Sequence, residues 1–178
     1  MAASTSPMVV LIGLRGAGKS TVGQLLAHRM AGTFADLDDR TAMAMGEDTP
    51  GEALSRHGEA AFRAAEALGL SHALKERLAV LALGGGTPTA PGAAEALTAA
   101  QAAGRVRIVY LRASPAALRS RLGSAGASMR PTLTGRGTLV EIEELFAARD
   151  PLYGRLANRT IDVEMLSAEE VVDQLSAC

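Results

Sequence analysis

The stretch Gly13-Leu14-Arg15-Gly16-Ala17-Gly18-Lys19-Ser20-Thr21 constrains this chain more than any other. It satisfies G-x-x-x-x-G-K-[ST], the phosphate-binding P-loop pattern, whose meaning depends on a strand before it and a helix after it. Both flanks are present. Val9-Val10-Leu11-Ile12 is a short, β-branched apolar run that predicts a buried strand, and Val22, Leu25, Leu26 and Met30 recur at helical spacing. A helix start carries unpaired backbone N–H groups and the positive end of the helix dipole, so a strand–turn–helix of this kind is an anion site. Gly13, Gly16 and Gly18 allow the unusual dihedrals and close backbone approach that such a turn needs. Lys19 is placed to reach the β/γ-phosphates and the Ser20 hydroxyl to ligate Mg²⁺. Gly13, Gly16, Ala17, Gly18, Lys19, Ser20 and Thr21 are thus the expected nucleotide contacts. The loop announces a nucleotide and leaves the acceptor open.

Composition removes several classes of partner. The 178 residues suit one domain spanning 1–178 with a substantial core. A net charge of −1 lacks the basic surplus of a nucleic-acid-binding domain. Residues 1–6 are small and polar, read as disordered, with no secretory pattern, and no apolar run is long enough for a membrane span. A single cysteine, Cys178, allows no intrachain disulfide and suits a reducing compartment. A cytoplasmic monomer follows as the expectation, with no nucleic-acid or membrane partner. Lysine occurs only at 19 and 75, so Lys19 is not background; arginine is abundant, so each arginine needs a positional argument.

Downstream, Phe34 to Asp39 reads as a weak strand ending in acids. Carboxylates at a strand's C-terminal end beside a P-loop lie where open α/β sheets bind ligands. In an extended segment Asp36 and Asp38 point to one side, one suited to the Mg²⁺ shell and the other to an acceptor proton. Equally, Asp38 or Asp39 caps a helix over Arg40–Met45. Gly51 to His57 reads as a short helix ended by Gly58, and a longer helical pattern starts at Glu59. Within it Arg63 and Glu66, three apart, are by themselves best read as a surface pair. Leu78 to Leu83 is continuously apolar, as expected of a central parallel strand, and ends in Gly84-Gly85-Gly86. Three successive glycines there suit close backbone contact with a ligand, or merely a flexible turn. Val106–Leu111 is another strand, Ser114-Pro115 starts a helix through Leu122, and Gly123 to Gly137 breaks every periodicity, which predicts a mobile lid. Leu139–Phe146 resumes a helix, Thr160–Val163 forms a closing strand, and Ser167 caps a terminal helix with Glu170 at the third position. Strands alternating with helices predict a three-layer α/β fold: a parallel sheet of about five strands with helices on both faces.

Taken in order, the sequence resembles the shikimate kinases, P-loop kinases of the nucleoside monophosphate kinase type, from Val9 to Leu175. The resemblance is carried by Gly13–Thr21, Phe34-x-Asp36-x-Asp38, Gly58-Glu59-x-x-Phe62-Arg63-x-x-Glu66, Gly84-Gly85-Gly86, Arg130-Pro131-x-Leu133 and Arg149-x-Pro151-Leu152-Tyr153. It implies ATP- and Mg²⁺-dependent phosphorylation of the 3-hydroxyl of shikimate, in aromatic amino-acid biosynthesis. It further implies that Asp38 meets the acceptor hydroxyl as base and that Ser20 and Asp36 belong to the metal's surroundings. Arg63 and Arg149 would clamp the substrate carboxylate, and Gly84, Gly85 and Gly86 would contact the substrate through backbone. Arg130 would reach the transferring phosphoryl from the lid, and Arg121 would lie near the adenine, with Arg119 the competing choice. Thr132 departs from the leucine expected after Arg130-Pro131, and the segment from Gly123 to Met129 is longer than the family's compact lid. The rival expectations are a same-fold kinase of gluconate or a cyclic polyol, and a nucleotide-binding regulator without catalysis.

Overall fold

The computed structural model describes residues 6–124 and 138–177. Five strands, β1 (Met8–Ile12), β2 (Phe34–Asp36), β3 (Val80–Ala82), β4 (Val106–Arg112) and β5 (Arg159–Asp162), form one sheet in the order β2-β3-β1-β4-β5. Every pairing is parallel. Val10, Leu11, Ile12, Leu81 and Ile108 have no exposed surface, as a strand covered on both faces requires. Each such aliphatic side chain contributes about 1.5–3 kcal/mol by leaving water.

The connections place the layers. The step from β1 to β2, through α1 (Lys19–Arg29), runs toward one edge of the sheet, and all later steps run the other way. Right-handed crossovers therefore set α1 on one face. The opposite face receives α2 (Leu37–Ala44), α3 (Pro50–Ala73), α4 (Ala93–Ala102), α5 (Pro115–Ser124) and α6 (Thr138–Leu156). The terminal helix α7 (Ala168–Ser176) packs against α1, and its Ser167–Glu170 capping box is formed as expected. Because all strands are parallel, their C-terminal ends share one rim, where the segments after β1, β2 and β3 meet.

Of three local readings, two change and one holds. β2 ends at Asp36 and α2 starts at once, so Asp38 sits in the first helical turn, not beside Asp36 on an extended segment. The cap of α2 is Asp36, whose Oδ1 accepts from the Asp38 N–H at 3.0 Å, not Asp38 or Asp39. An Asx cap satisfies an orphan N–H and turns the chain sharply, which outweighs the weak strand pattern. Second, α3 breaks at Gly58 (φ 81°, ψ 163°), a conformation that disfavours any side chain, so the helix pair predicted around Gly58 is present. Third, Arg149 to Tyr153 lies inside α6, which continues through Pro151 to Leu156. Of the lid expected at 123–137, residues 125–137, Arg130 among them, lie outside the described residues, as do residues 1–5.

Candidate active site

A cleft of about 420 Å³ opens on this rim. The P-loop and the α1 N-terminus line one end, α2, α3 and the glycine triplet another, and α5 and α6 the remaining side. Gly13 lies at φ 148°, and a Cβ there would sit 2.5 Å from the Leu111 carbonyl oxygen, so the first turn of the loop admits no side chain. Lys19 folds back over the loop, donating from Nζ to the Gly13 and Leu14 carbonyls at 2.9 and 3.0 Å. These carbonyls hold the ammonium over the loop at the mouth of the helix.

Beside it the Ser20 hydroxyl donates to Asp36 Oδ2 at 2.6 Å. One carboxylate thereby fixes both the entry of α2 and a hydroxyl of α1. The pair is all oxygen, hard and next to a phosphate cradle. That donor set fits Mg²⁺, which takes one or two protein oxygens and fills its remaining positions with water and phosphate. Asp38, one helical step on, lines the cleft, and its Oδ1 would lie 2.1 Å from a Cβ on Gly84.

The pair expected to lie on the surface, Arg63 with Glu66, is instead the floor of this wall. Glu66 has no exposed surface; its Oε2 accepts from Arg63 Nη1 at 2.8 Å and its Oε1 from the Thr87 hydroxyl. The i,i+3 spacing was legible, but burial depends on β3 and the Thr87 turn packing over α3, which no local pattern carries. Burial alone would lower the Arg63 pKa; the hydrogen bond and charge of Glu66, with Glu59 and Asp38 beyond, reverse this and raise it. The guanidinium is therefore a permanent cation facing the cleft. It lies against Gly86, where a Cβ would meet its nitrogens at 2.8–2.9 Å.

Arg149 approaches from α6, its Nη1 donating to the Gly85 carbonyl at 2.6 Å. Tyr153, one turn further along the same face, donates to the same oxygen at 2.5 Å. The next residue in sequence, Asp150, turns the other way and accepts from Tyr110 at 2.8 Å and from Arg112 at 2.7 and 3.1 Å. The Tyr110 and Tyr153 rings meet edge to face, centroids 5.4 Å apart at 85°. Burial pushes the Tyr153 phenol up to about 12, against the pull of the Arg149 charge. The Arg112 hydrogen bond is the largest influence on Asp150 and holds its carboxyl below the ordinary range. Asp150, Tyr110 and Arg112 were given no function in the sequence reading, and Tyr153 entered it only as part of the Arg149-x-Pro151-Leu152-Tyr153 motif. Tyr153 could have been found there, since 149 and 153 share a helix face once Pro151 is allowed inside the helix.

Lys19, Ser20, Thr21, Asp36, Asp38, Arg63, Gly85, Gly86 and Arg149 thus line one cleft, with Gly16 and Gly18 on the loop and Gly84 packed against Asp38. Ala17 is buried beneath the loop. Arg121 is turned toward the loop after β5, donating to the Val163 carbonyl at 2.5 Å and the Glu164 carbonyl at 3.3 Å, and Arg119 pairs with Glu143. Neither lines the cleft. Glu141, also unread in the sequence, lines it from α6 with a buried Oε1 that has no hydrogen-bond partner among the described residues.

The chain and its fold have counterparts among known proteins. The family model described as shikimate kinase matches residues 15–178. A shikimate kinase of Enterococcus faecalis is 35% identical over 167 residues, covering 94% of this chain and 95% of that protein. The solved structure of a shikimate kinase from Acinetobacter baumannii in complex with shikimate superposes with a TM-score of 0.86 at 30% identity, covering 97% of this chain and 92% of that one. A gluconokinase structure from Sinorhizobium meliloti gives 0.63 at 19% identity, with 98% and 92% covered, a likeness of fold alone. With its family model matched almost end to end and its P-loop, arginine pair and glycine turn gathered on one rim, the chain belongs to the shikimate kinase family.

Proposed function

We propose that this protein transfers the γ-phosphoryl group of ATP to the 3-hydroxyl of shikimate, giving shikimate 3-phosphate and ADP in aromatic amino-acid biosynthesis. The observation that carries the reading is the pairing of Arg63 and Arg149 across a cleft whose other end is the P-loop. Two planar guanidinium forks recognise a carboxylate and fix its orientation. Asp38 lines the same cleft and on this reading orients the acceptor hydroxyl. As the acceptor oxygen bonds to the γ-phosphorus and the bond to the β-phosphate oxygen breaks, Asp38 takes the hydroxyl proton. Phosphoryl transfer asks chiefly for positioning and charge neutralisation. Lys19 leaves the loop carbonyls for the β/γ-phosphates, and the loop amides bind the remaining oxygens.

Ser20 and Asp36 would hold Mg²⁺, which when bound neutralises phosphate charge. Gly84 to Gly86 offer backbone to the substrate because a side chain would displace Asp38 at Gly84 or Arg63 at Gly86 and would crowd the P-loop backbone at Gly85. Arg130 is assigned to the transferring phosphoryl group and Arg121 to the edge of the adenine site, both by the family resemblance. A cytoplasmic monomer completes the reading; among the described residues no helix is long and apolar enough to cross a membrane.

The test is ADP release from ATP with and without shikimate, and with gluconate and cyclic polyols in its place. Shikimate-dependent turnover at least a hundredfold above the other acceptors is expected. Comparable turnover of gluconate would replace the acceptor assignment, and ATP binding without transfer to any acceptor would end the kinase reading. Asp38→Asn should lower kcat by about three orders of magnitude with the fold intact by circular dichroism, as loss of a general base and an orienting contact predicts.

A further inference from the structure

The Gly85 carbonyl accepts two hydrogen bonds, from Arg149 and from Tyr153. A carbonyl oxygen has two lone-pair directions, so both are used. Tyr153 has no exposed surface, and its ring is braced edge-on by Tyr110, whose own hydroxyl is committed to Asp150. The Gly85 backbone in turn packs on the P-loop: a Cβ there would stand 3.1 Å from the Arg15 amide nitrogen. Gly85 is therefore the seam between the nucleotide end of the cleft and the arginine end.

On the reading that Arg149 binds a substrate carboxylate, turning its planar fork to take that carboxylate in two parallel hydrogen bonds competes with the Nη1 bond to the Gly85 carbonyl. We propose that Tyr153 is a positioning residue whose hydroxyl keeps the Gly85 carbonyl satisfied as Arg149 leaves it, so that the glycine turn holds its place against the P-loop. The two donors then have different duties. Arg149 is the exchangeable one, and Tyr153 the permanent one.

The consequence is an asymmetry between free and bound protein. In the ligand-free protein Tyr153→Phe deletes one donor of two, and Arg149 still covers the oxygen. In the complex the same deletion leaves a half-buried carbonyl with no protein donor, a cost that appears as lost affinity. Tyr153→Phe should therefore melt within about 2 °C of the parent without ligand. Its shikimate KM, and the shikimate dissociation constant by calorimetry, should rise about tenfold, with the ATP KM within about twofold. A merely structural tyrosine would lower the ligand-free melt and leave the KM split unmoved.

An unchanged shikimate constant in Tyr153→Phe overturns the inference, and so does a ligand-free melt lowered by 5 °C or more, which is about two steps of the expected sensitivity. Arg149→Ala, measured alongside, separates this from the reading beneath it. If Arg149→Ala leaves shikimate affinity intact, the carboxylate assignment falls. If Arg149→Ala weakens shikimate and Tyr153→Phe does not, only the role of Tyr153 falls. In the Arg149→Ala background, where the carbonyl has lost its exchangeable donor in both states, adding Tyr153→Phe should now lower the ligand-free melt and leave the residual shikimate affinity within about twofold. Full loss of that affinity on the second substitution would also overturn the inference.

Discussion

The two ends of the cleft are built by opposite means. The phosphate end is one continuous stretch, Gly13 to Thr21, and its working groups are backbone amides, a helix start and a lysine tethered to carbonyls five and six residues away. The arginine end comes from α2, α3, the turn after β3 and α6, and its cations are set by a carbonyl 64 positions distant, shared with a tyrosine 68 positions from it, or by a buried acid. A site made of local backbone needs only the strand and helix on either side of it. A site made of side chains from four elements needs the packed fold first, so it should fail to different substitutions and in a different order.

Glycine replacements give the largest contrast. Gly13→Ala places a methyl 2.5 Å from a backbone carbonyl oxygen at a φ of 148°, and neither can yield cheaply. ATP affinity, measured by calorimetry or a fluorescent nucleotide, should fall at least a hundredfold, on the order of 3 kcal/mol of strain and lost contacts. Gly84→Ala places its methyl 2.1 Å from Asp38 Oδ1 and 2.6 Å from Glu66 Oε1, a bonded and fully buried acid. Turnover of shikimate should be nearly abolished while ATP affinity stays within about threefold, because the displaced groups belong to the other end. Loss of ATP binding in Gly84→Ala would erase the distinction between the two ends.

A smaller effect sharpens it. Arg63→Ala should raise the shikimate KM by about 10²-fold, as removal of one bidentate carboxylate contact does, with the ATP KM nearly unchanged. Equal rises in both constants would mean that the guanidinium serves the phosphates. The variant also strands Glu66 without its cation, so its melt should drop by several degrees, on the order of 1–3 kcal/mol for a buried charged acceptor losing a donor.

The smallest effect is read by pH. Asp150 has a folded-state pKa below its ordinary 3.8, so its charged form contributes stability above that value and loses it as the pH falls through the folded value. Asp150→Asn should lower the melting temperature near neutrality, where the charged form contributes, and the difference from the parent should shrink as the pH falls below about 4. Tyr153 has the opposite sign: its neutral form contributes stability below pH 10.0 and loses it as the pH rises toward about 12. Tyr153→Phe should therefore soften the alkaline limb in that window. A parent and variants with superimposable limbs would show that these groups exert no linkage on folding.

Much of the site was legible before any fold was known, and the pattern of what was missed is physical. The P-loop could be read from spacing because its function is local. Arg63 and Arg149 needed a family resemblance, since an arginine at a helical position has the same appearance whether it faces water or a cleft. Glu66 was read as solvated because the i,i+3 relation says nothing of what lies over the pair. Asp38 was left open between an extended segment and a helix cap, because the alternation around Phe34 and Leu37 is too short to decide and the capping residue is Asp36.

By itself the chain's order of residues determined the fold class, the nucleotide loop, the kink at Gly58 and the capping of α7, all of which follow from dihedral preference and hydrophobic period within a few residues. Only tertiary structure decided that Glu66 is buried under Thr87, that Asp150 turns away to Arg112 and that Tyr153 meets Arg149 on one carbonyl. These contacts join residues far apart in sequence, and whether a polar side chain is solvated or desolvated is a property of what packs over it. In this protein the place where phosphate binds is written in one stretch, and the discrimination of the acceptor is written in the packing.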